Sequence, residues 1–284
     1  MKIFLVLIVF IFSLYAKQDN YKKLFTNIDH GDDNVTKETL RRYIYSDYNI
    51  KAHHTNYFIP ISYRLKKEYI DNTNIPHDSI QTEAEFQVSL KYEIGANLFG
   101  LGEVYSAAYT QRSFWQIYVE SAFFRETNYN PELFLRVPIT IDYKENGIKA
   151  LELGFAHMSN GRGGTEERSW NYFYTDLYFQ IRPIFLDLKF WYRVEDTQDY
   201  NPQLIDYLGH GQARILLPYK KNIFEFKVRY STIAKFTTEI NYSHPVFLRN
   251  DLFFYIKAFN GYGESLIDYN QRVKKVGFGF SISR

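Results

Sequence analysis

From about His53 onward the chain alternates apolar and polar residues with a period of two, and the polar positions are often charged. Phe86, Val88, Leu90 and Tyr92 alternate with Glu85, Gln87, Ser89 and Lys91. Ile184, Leu186, Leu188, Phe190 and Tyr192 alternate with Asp187, Lys189 and Arg193. Phe224, Phe226, Val228 and Tyr230 alternate with Glu225, Lys227 and Arg229, and Val276, Phe278, Phe280 and Ile282 with Lys275, Gly277, Gly279 and Ser281. Side chains two apart share one face of a strand, so each segment has one greasy side and one charged side. A soluble sandwich shows the same alternation but must gather its apolar faces into one core. Here those faces are rich in aromatics and recur on nearly every strand; Tyr, Phe and Trp number 26, 25 and 3. An inverted arrangement accommodates them, with apolar faces meeting lipid and charged faces filling a closed barrel.

Twelve candidate strands begin near Asn56, Glu83, Gly102, Glu132, Ile148, Trp170, Ile184, Gln212, Asn222, Phe236, Asp251 and Arg272. Turn residues fall between them at 144–147, 201–203, 243–245 and 261–264. The expectation is an all-β, twelve-stranded antiparallel transmembrane β-barrel over 53–284. A polar N-terminal arm over 17–52 precedes it, with one short helix near Thr36. Residues 1–16, MKIFLVLIVFIFSLYA, combine Lys2, an apolar run and Ala16, the pattern of a secretory signal peptide. No later stretch carries 18 apolar residues, so membrane-spanning helices are not expected. A signal peptide and a lipid-facing barrel place the protein in a bacterial outer membrane.

The 34 Lys+Arg against 32 Asp+Glu leave a net charge of +2 and no field for nucleic acid. The absence of cysteine excludes disulfides, thiolate metal sites and a cysteine nucleophile.

The chemistry concentrates in Leu151–Asn171, LELGFAHMSNGRGGTEERSWN. His157 and Ser159 share parity with Leu151, Leu153 and Phe155, and therefore face lipid. Asn171 shares parity with Phe173 and Leu177 on the following strand. Polar side chains on a lipid face are costly without a purpose. A purpose exists if Ser159 is a nucleophile, His157 its general base and Asn171 the group that orients the imidazole. Two residues on a strand separate the Ser159 and His157 Cα atoms by about 7 Å, close enough for the side chains to lean together. The plainer reading is that these are interfacial polar residues at strand ends. Elsewhere, Arg125 and Glu126 read as a loop ion pair, and His53-His54 as a solvated pair. The histidines other than His157, with His53 and His54 among them, form no ligand spacing.

At these residues the chain resembles the outer-membrane phospholipase A family. The resemblance rests on His157-Met-Ser-Asn-Gly-Arg162 continued by Arg168-Ser-Trp-Asn171. It is joined by Tyr109-Thr-Gln111 with Ser113 and Trp115, by Phe124-Arg-Glu-Thr-Asn-Tyr129, and by Gly261 through Asn270. It runs from about Tyr57 to Phe280. It implies a calcium-dependent enzyme, active as a homodimer, that cleaves acyl esters at both positions of phospholipids and of lysophospholipids. His157, Ser159 and Asn171 match the family's triad, and the Gly161 N–H its oxyanion donor. Calcium would be held by the Arg162 carbonyl, the Glu167 side chain and a carbonyl matching Ser121 from the partner subunit. Gln111 would lie in the dimer contact, facing lipid; an inward place in the barrel's polar network is its alternative. Glu167 stands where better-known members carry serine, which implies equal or tighter calcium binding. Two other functions use a similar chain: a non-enzymatic porin or adhesion barrel, and a lipid acyltransferase sharing the acyl-enzyme.

Overall fold

The computed structural model describes residues 50–65, 79–139, 146–194, 199–247 and 251–284. The segments expected to form the signal peptide and the arm's helix lie outside the described residues. Thirteen strands follow in order: β1 Ile50–Ala52, β2 Tyr57–Arg64, β3 Thr82–Ala96, β4 Val104–Trp115, β5 Phe124–Pro138, β6 Gly147–Ser159, β7 Ser169–Ile181, β8 Ile184–Val194, β9 Gly211–Tyr219, β10 Asn222–Ser231, β11 Lys235–Pro245, β12 Phe253–Gly261 and β13 Val273–Ser281. A short helix, α1, spans Leu204–Leu208. Among the described residues no helix is long and apolar enough to cross a membrane.

Every ladder is antiparallel, each strand from β2 onward pairs with its chain neighbour, and β13 closes on β2. β1 and β2 both pair with β3, β1 at Leu90–Tyr92 and β2 at Thr82–Gln87. They therefore act as one barrel strand interrupted at 53–56, which gives the twelve-stranded barrel expected. Closure removes free strand edges, which lipid cannot satisfy. The expected arm boundary at residue 52 shifts, because Ile50–Ala52 already belong to the sheet.

The faces are inverted relative to a soluble protein. Leu133, Phe173, Phe190, Phe236 and Phe278 are exposed, whereas Glu83, Glu85, Arg125, Glu152, Lys257 and Lys275 are buried. The buried charges neutralise one another inside the barrel. Arg125 grips Glu83 through two bonds of 2.8 and 3.1 Å and reaches Asp268 at 3.1 Å. Lys275 contacts Glu83, Glu85 and Glu264 at 3.2, 2.9 and 2.6 Å. Breaking one member of such a pair costs about 3–5 kcal/mol, because a buried charge is left alone.

This corrects two expectations. β5 starts at Phe124, eight residues before the expected Glu132, and Arg125 with Glu126 is not a loop ion pair. A bulge opposite Phe114 and Trp115 turns both neighbours inward. Their partners lie elsewhere: Glu83 and Asp268 for Arg125, Arg162 and Asn128 for Glu126.

An apolar cluster of Trp170, Tyr172, Tyr174, Leu204, Leu208, Leu266 and Tyr269 is also buried. Its members come from β7, α1 and the 262–272 connection, so these segments pack together over inward-facing residues of β7. With the interlocked charges, they occupy part of the interior, and a cavity of about 350 Å³ remains open among the inward polar residues.

Candidate active site

β6 and β7 are joined by residues 160–168, and their register sets His157 opposite Asn171 and Ser159 opposite Ser169. Leu153, Phe155 and Phe173, on the same faces, are exposed to the outside. The intervening Ala156, Trp170 and Tyr172 are buried inward. The polar trio therefore projects from the outer wall, as the parity argument requires. His157 Nδ1 lies 2.8 Å from Asn171 Oδ1. With a proton on Nδ1, the imidazole donates to the carboxamide oxygen and Nε2 is left as the base. Ser159 stands two residues along the same face. Among the described residues no hydrogen bond joins its hydroxyl to His157. Such contacts commonly tighten only when substrate is bound.

The neighbouring strand shapes this position. Tyr129 pairs with Ser159 and Glu132 with Ala156, which sets Pro131 opposite His157. Proline has no N–H to give to the ladder. Asn130 fills the gap: its side-chain amide donates to the His157 carbonyl at 3.0 Å, while its oxygen accepts from the Tyr172 hydroxyl at 3.1 Å.

The loop after Ser159 is held by Asn160, which is buried. Its side-chain oxygen accepts from the N–H groups of Arg162 and Arg168, and its amide donates to the Glu166 carbonyl. Gly161 adopts φ +66°, and a Cβ there would meet the Tyr129 ring at 2.9 Å. A side chain is thus disfavoured twice, by backbone conformation and by space. Among the described residues the Gly161 N–H has no acceptor.

The Arg162 guanidinium faces Glu126 at 3.4 Å and Glu166 at 2.5 Å, and also donates to the Arg125 carbonyl. Glu126 in turn accepts from the Ile267 N–H. One arginine thereby fastens the loop to β5, and Glu126 links it to the 262–272 connection. The Glu167 carboxylate has no hydrogen-bond or ion-pair partner among the described residues. An uncommitted carboxylate is a hard oxygen donor of the kind calcium takes. Ser121 lies exposed in the separate 116–123 connection. Gln111 faces outward, accepts from the Tyr109 hydroxyl at 3.1 Å and donates to Ser113 at 3.2 Å.

An open groove of about 1040 Å³ runs on the outer wall, lined by Leu133, Leu153, Phe155, Phe173, Phe190 and Tyr192. Phe155 and Phe173 are the same-face neighbours of His157 and Asn171, so the groove begins beside the polar trio.

Sequence reasoning missed Asn130, Tyr129 and the Arg162–Glu126 fastening. Pro131 was the available signal for Asn130, since a proline in a strand leaves a carbonyl across the ladder in need of a donor. The expectation of a solvated pair holds for His54, whose side chain is 46% exposed, and is corrected for His53, whose side chain is buried and bonded to Glu132 at 2.9 Å.

A family model described as Phospholipase A1 matches residues 34–282. The phospholipase A1 of Salmonella typhimurium is 35% identical over 242 residues, 83% of this chain and 82% of that protein. The solved outer membrane phospholipase A from Escherichia coli is similar at a TM-score of 0.76 and 32% identity, covering 84% of this chain and 93% of that one. A Salmonella typhi outer membrane phospholipase, solved as a dimer with bound calcium, matches with the same TM-score, identity and coverage.

Proposed function

This chain belongs to the phospholipase A1 family of bacterial outer-membrane barrels, and from that premise we propose that it is a calcium-dependent phospholipase with a serine acyl-enzyme. It would cleave both acyl esters of phospholipids and those of lysophospholipids, and act as a homodimer. The observation that carries the reading is the His157–Asn171 bond on the lipid-facing wall, with Ser159 on the same face. A porin has no use for that bond.

Ser159 Oγ attacks the ester carbonyl carbon while His157 Nε2 takes the hydroxyl proton. Asn171 Oδ1 accepts from Nδ1–H and keeps the ring in the required tautomer. The Gly161 N–H, which has no acceptor among the described residues, donates to the oxygen that becomes negative in the tetrahedral intermediate. His157 returns its proton to the departing alkoxide, and the lysophospholipid or glycerol derivative leaves. Water, deprotonated by His157, then releases the fatty acid from Ser159. The groove beside Phe155 and Phe173 would take the acyl chain, so the ester arrives already embedded in apolar surface.

The Arg162 carbonyl and the Glu167 carboxylate would hold calcium, with a carbonyl from the partner's Ser121 completing the set. When bound, calcium would supply positive charge to stabilise the developing oxyanion, which would offset the weaker support that the neutral Asn171, compared with a carboxylate, gives the imidazolium. Gln111, on the outer wall, is assigned to the contact between subunits.

A long-chain alkyl sulfonyl fluoride tests the nucleophile. Its sulfur should bond to Ser159 Oγ with loss of fluoride, placing the adduct on the peptide containing Ser159. An active preparation that carries the label on another residue, or none, contradicts the assignment.

A further inference from the structure

We propose that His53, His54 and Glu132 form a site for one divalent transition-metal ion of the zinc class inside the barrel, apart from the calcium-binding residues. In a regular strand, adjacent side chains point to opposite faces. Here the interruption between β1 and β2 brings both imidazoles to the same side, with ring centroids 4.0 Å apart. The backbone holds them there: the N–H of His53 donates to the Ser89 carbonyl at 3.1 Å, and that of His54 to the Ser89 hydroxyl at 3.0 Å. Both Nε2 atoms converge on one oxygen, Glu132 Oε1, at 2.9 and 3.9 Å.

The other oxygen is already engaged. Glu132 Oε2 accepts from the Tyr174 hydroxyl at 3.0 Å and lies 4.0 Å from Lys189 Nζ. This fixes the carboxylate so that Oε1 faces the imidazoles, the outer support that metal ligands ordinarily have. Tyr174 crosses directly over Gly154, where a Cβ would lie 2.4 Å from its ring. His53 is further fixed by stacking on Phe134, with centroids 5.2 Å apart and planes 20° from parallel.

The three donor atoms lie within 4.8 Å of one another. Bonds of about 2.0–2.2 Å to a shared ion require a modest closing of that set. The two imidazoles are borderline donors, and with one carboxylate they make a nitrogen-rich set that favours zinc-class ions over calcium. Three protein ligands leave a fourth position for water. The His54 side chain is 46% exposed and, with His53, borders an interior cavity of about 350 Å³, which gives the ion a way in. Glu132 pairs with Ala156, next to His157, so ligation would tie the β1–β2 break to the strand behind the candidate catalytic histidine.

The full chain is refolded in detergent, stripped with chelator and supplied with excess calcium. Zn²⁺ is then titrated by calorimetry, and Co²⁺ by its visible absorption. One Zn²⁺ per chain and a cobalt spectrum of nitrogen–oxygen ligation are expected in wild type and in His157→Ala. Affinity should fall about 100-fold or more in His54→Gln, since even loss of an outer support costs 10–100-fold. Heat-modifiable gel mobility checks that His54→Gln is folded; if it is not, Glu132→Gln is the second variant. No Zn²⁺ binding in wild type, binding unchanged in the folded variant, or binding abolished by His157→Ala each overturns the proposal.

Discussion

The side-chain amide of Asn130 donates to the backbone carbonyl of His157 at 3.0 Å, in the place where Pro131 offers no N–H. A side chain from the interior thus completes the ladder behind a histidine whose ring is on the outside. Replacing Asn130 with Ala removes this bond and the one from Tyr172. The expected cost is about 1–3 kcal/mol for the stranded carbonyl, read from urea unfolding in detergent micelles. Turnover should fall moderately, with far more activity left than in Ser159→Ala. Unchanged unfolding in Asn130→Ala contradicts this role.

Glu167 is predicted to set the calcium response. Glu167→Ala removes one negative ligand, and the calcium midpoint for activity should rise about tenfold, because ligand charge tunes affinity. Glu166→Ala is the control, since that carboxylate serves the Arg162 ion pair. A calcium titration unaltered in Glu167→Ala rejects the ligand assignment.

Asp268, in the connection after β12, gives a pH test. Burial pushes its carboxyl up, but the guanidinium groups of Arg64 and Arg125 and the Ser265 hydroxyl outweigh it and hold the carboxyl below the ordinary aspartate range. A depressed folded value means stabilisation that is complete above about pH 4 and lost as pH falls through the folded value. Asp268→Asn should therefore destabilise the barrel by about 3–5 kcal/mol at neutral pH. The gap to wild type should narrow only under acid. A gap that is constant from neutral to strongly acid pH contradicts the ion-pair account.

The inverted barrel was legible because Lys275, Gly277, Gly279 and Ser281 alternate so regularly with Val276, Phe278, Phe280 and Ile282. The outward direction of His157, Ser159 and Asn171 followed from the same parity. The start of β5 was not legible. Arg125-Glu126-Thr127-Asn128 reads as a polar loop, yet charged residues belong inside this barrel, and a bulge admits two neighbours at once. His53 and His54 failed for a related reason: alternation sends adjacent side chains apart, and only the break between β1 and β2 brings these two together. Nor does spacing reveal that Asn130 replaces a proline's missing N–H, because the donor and acceptor are 27 residues apart.

The most direct test is fatty-acid release from phospholipid in detergent, measured for wild type, Ser159→Ala, His157→Ala and Asn171→Ala, with calcium and with chelator. The account predicts calcium-dependent release by wild type. It predicts losses of about 10³-fold or more for the serine and histidine variants, and a smaller loss for Asn171→Ala, which keeps both nucleophile and base. Wild-type release by a folded Ser159→Ala variant contradicts it.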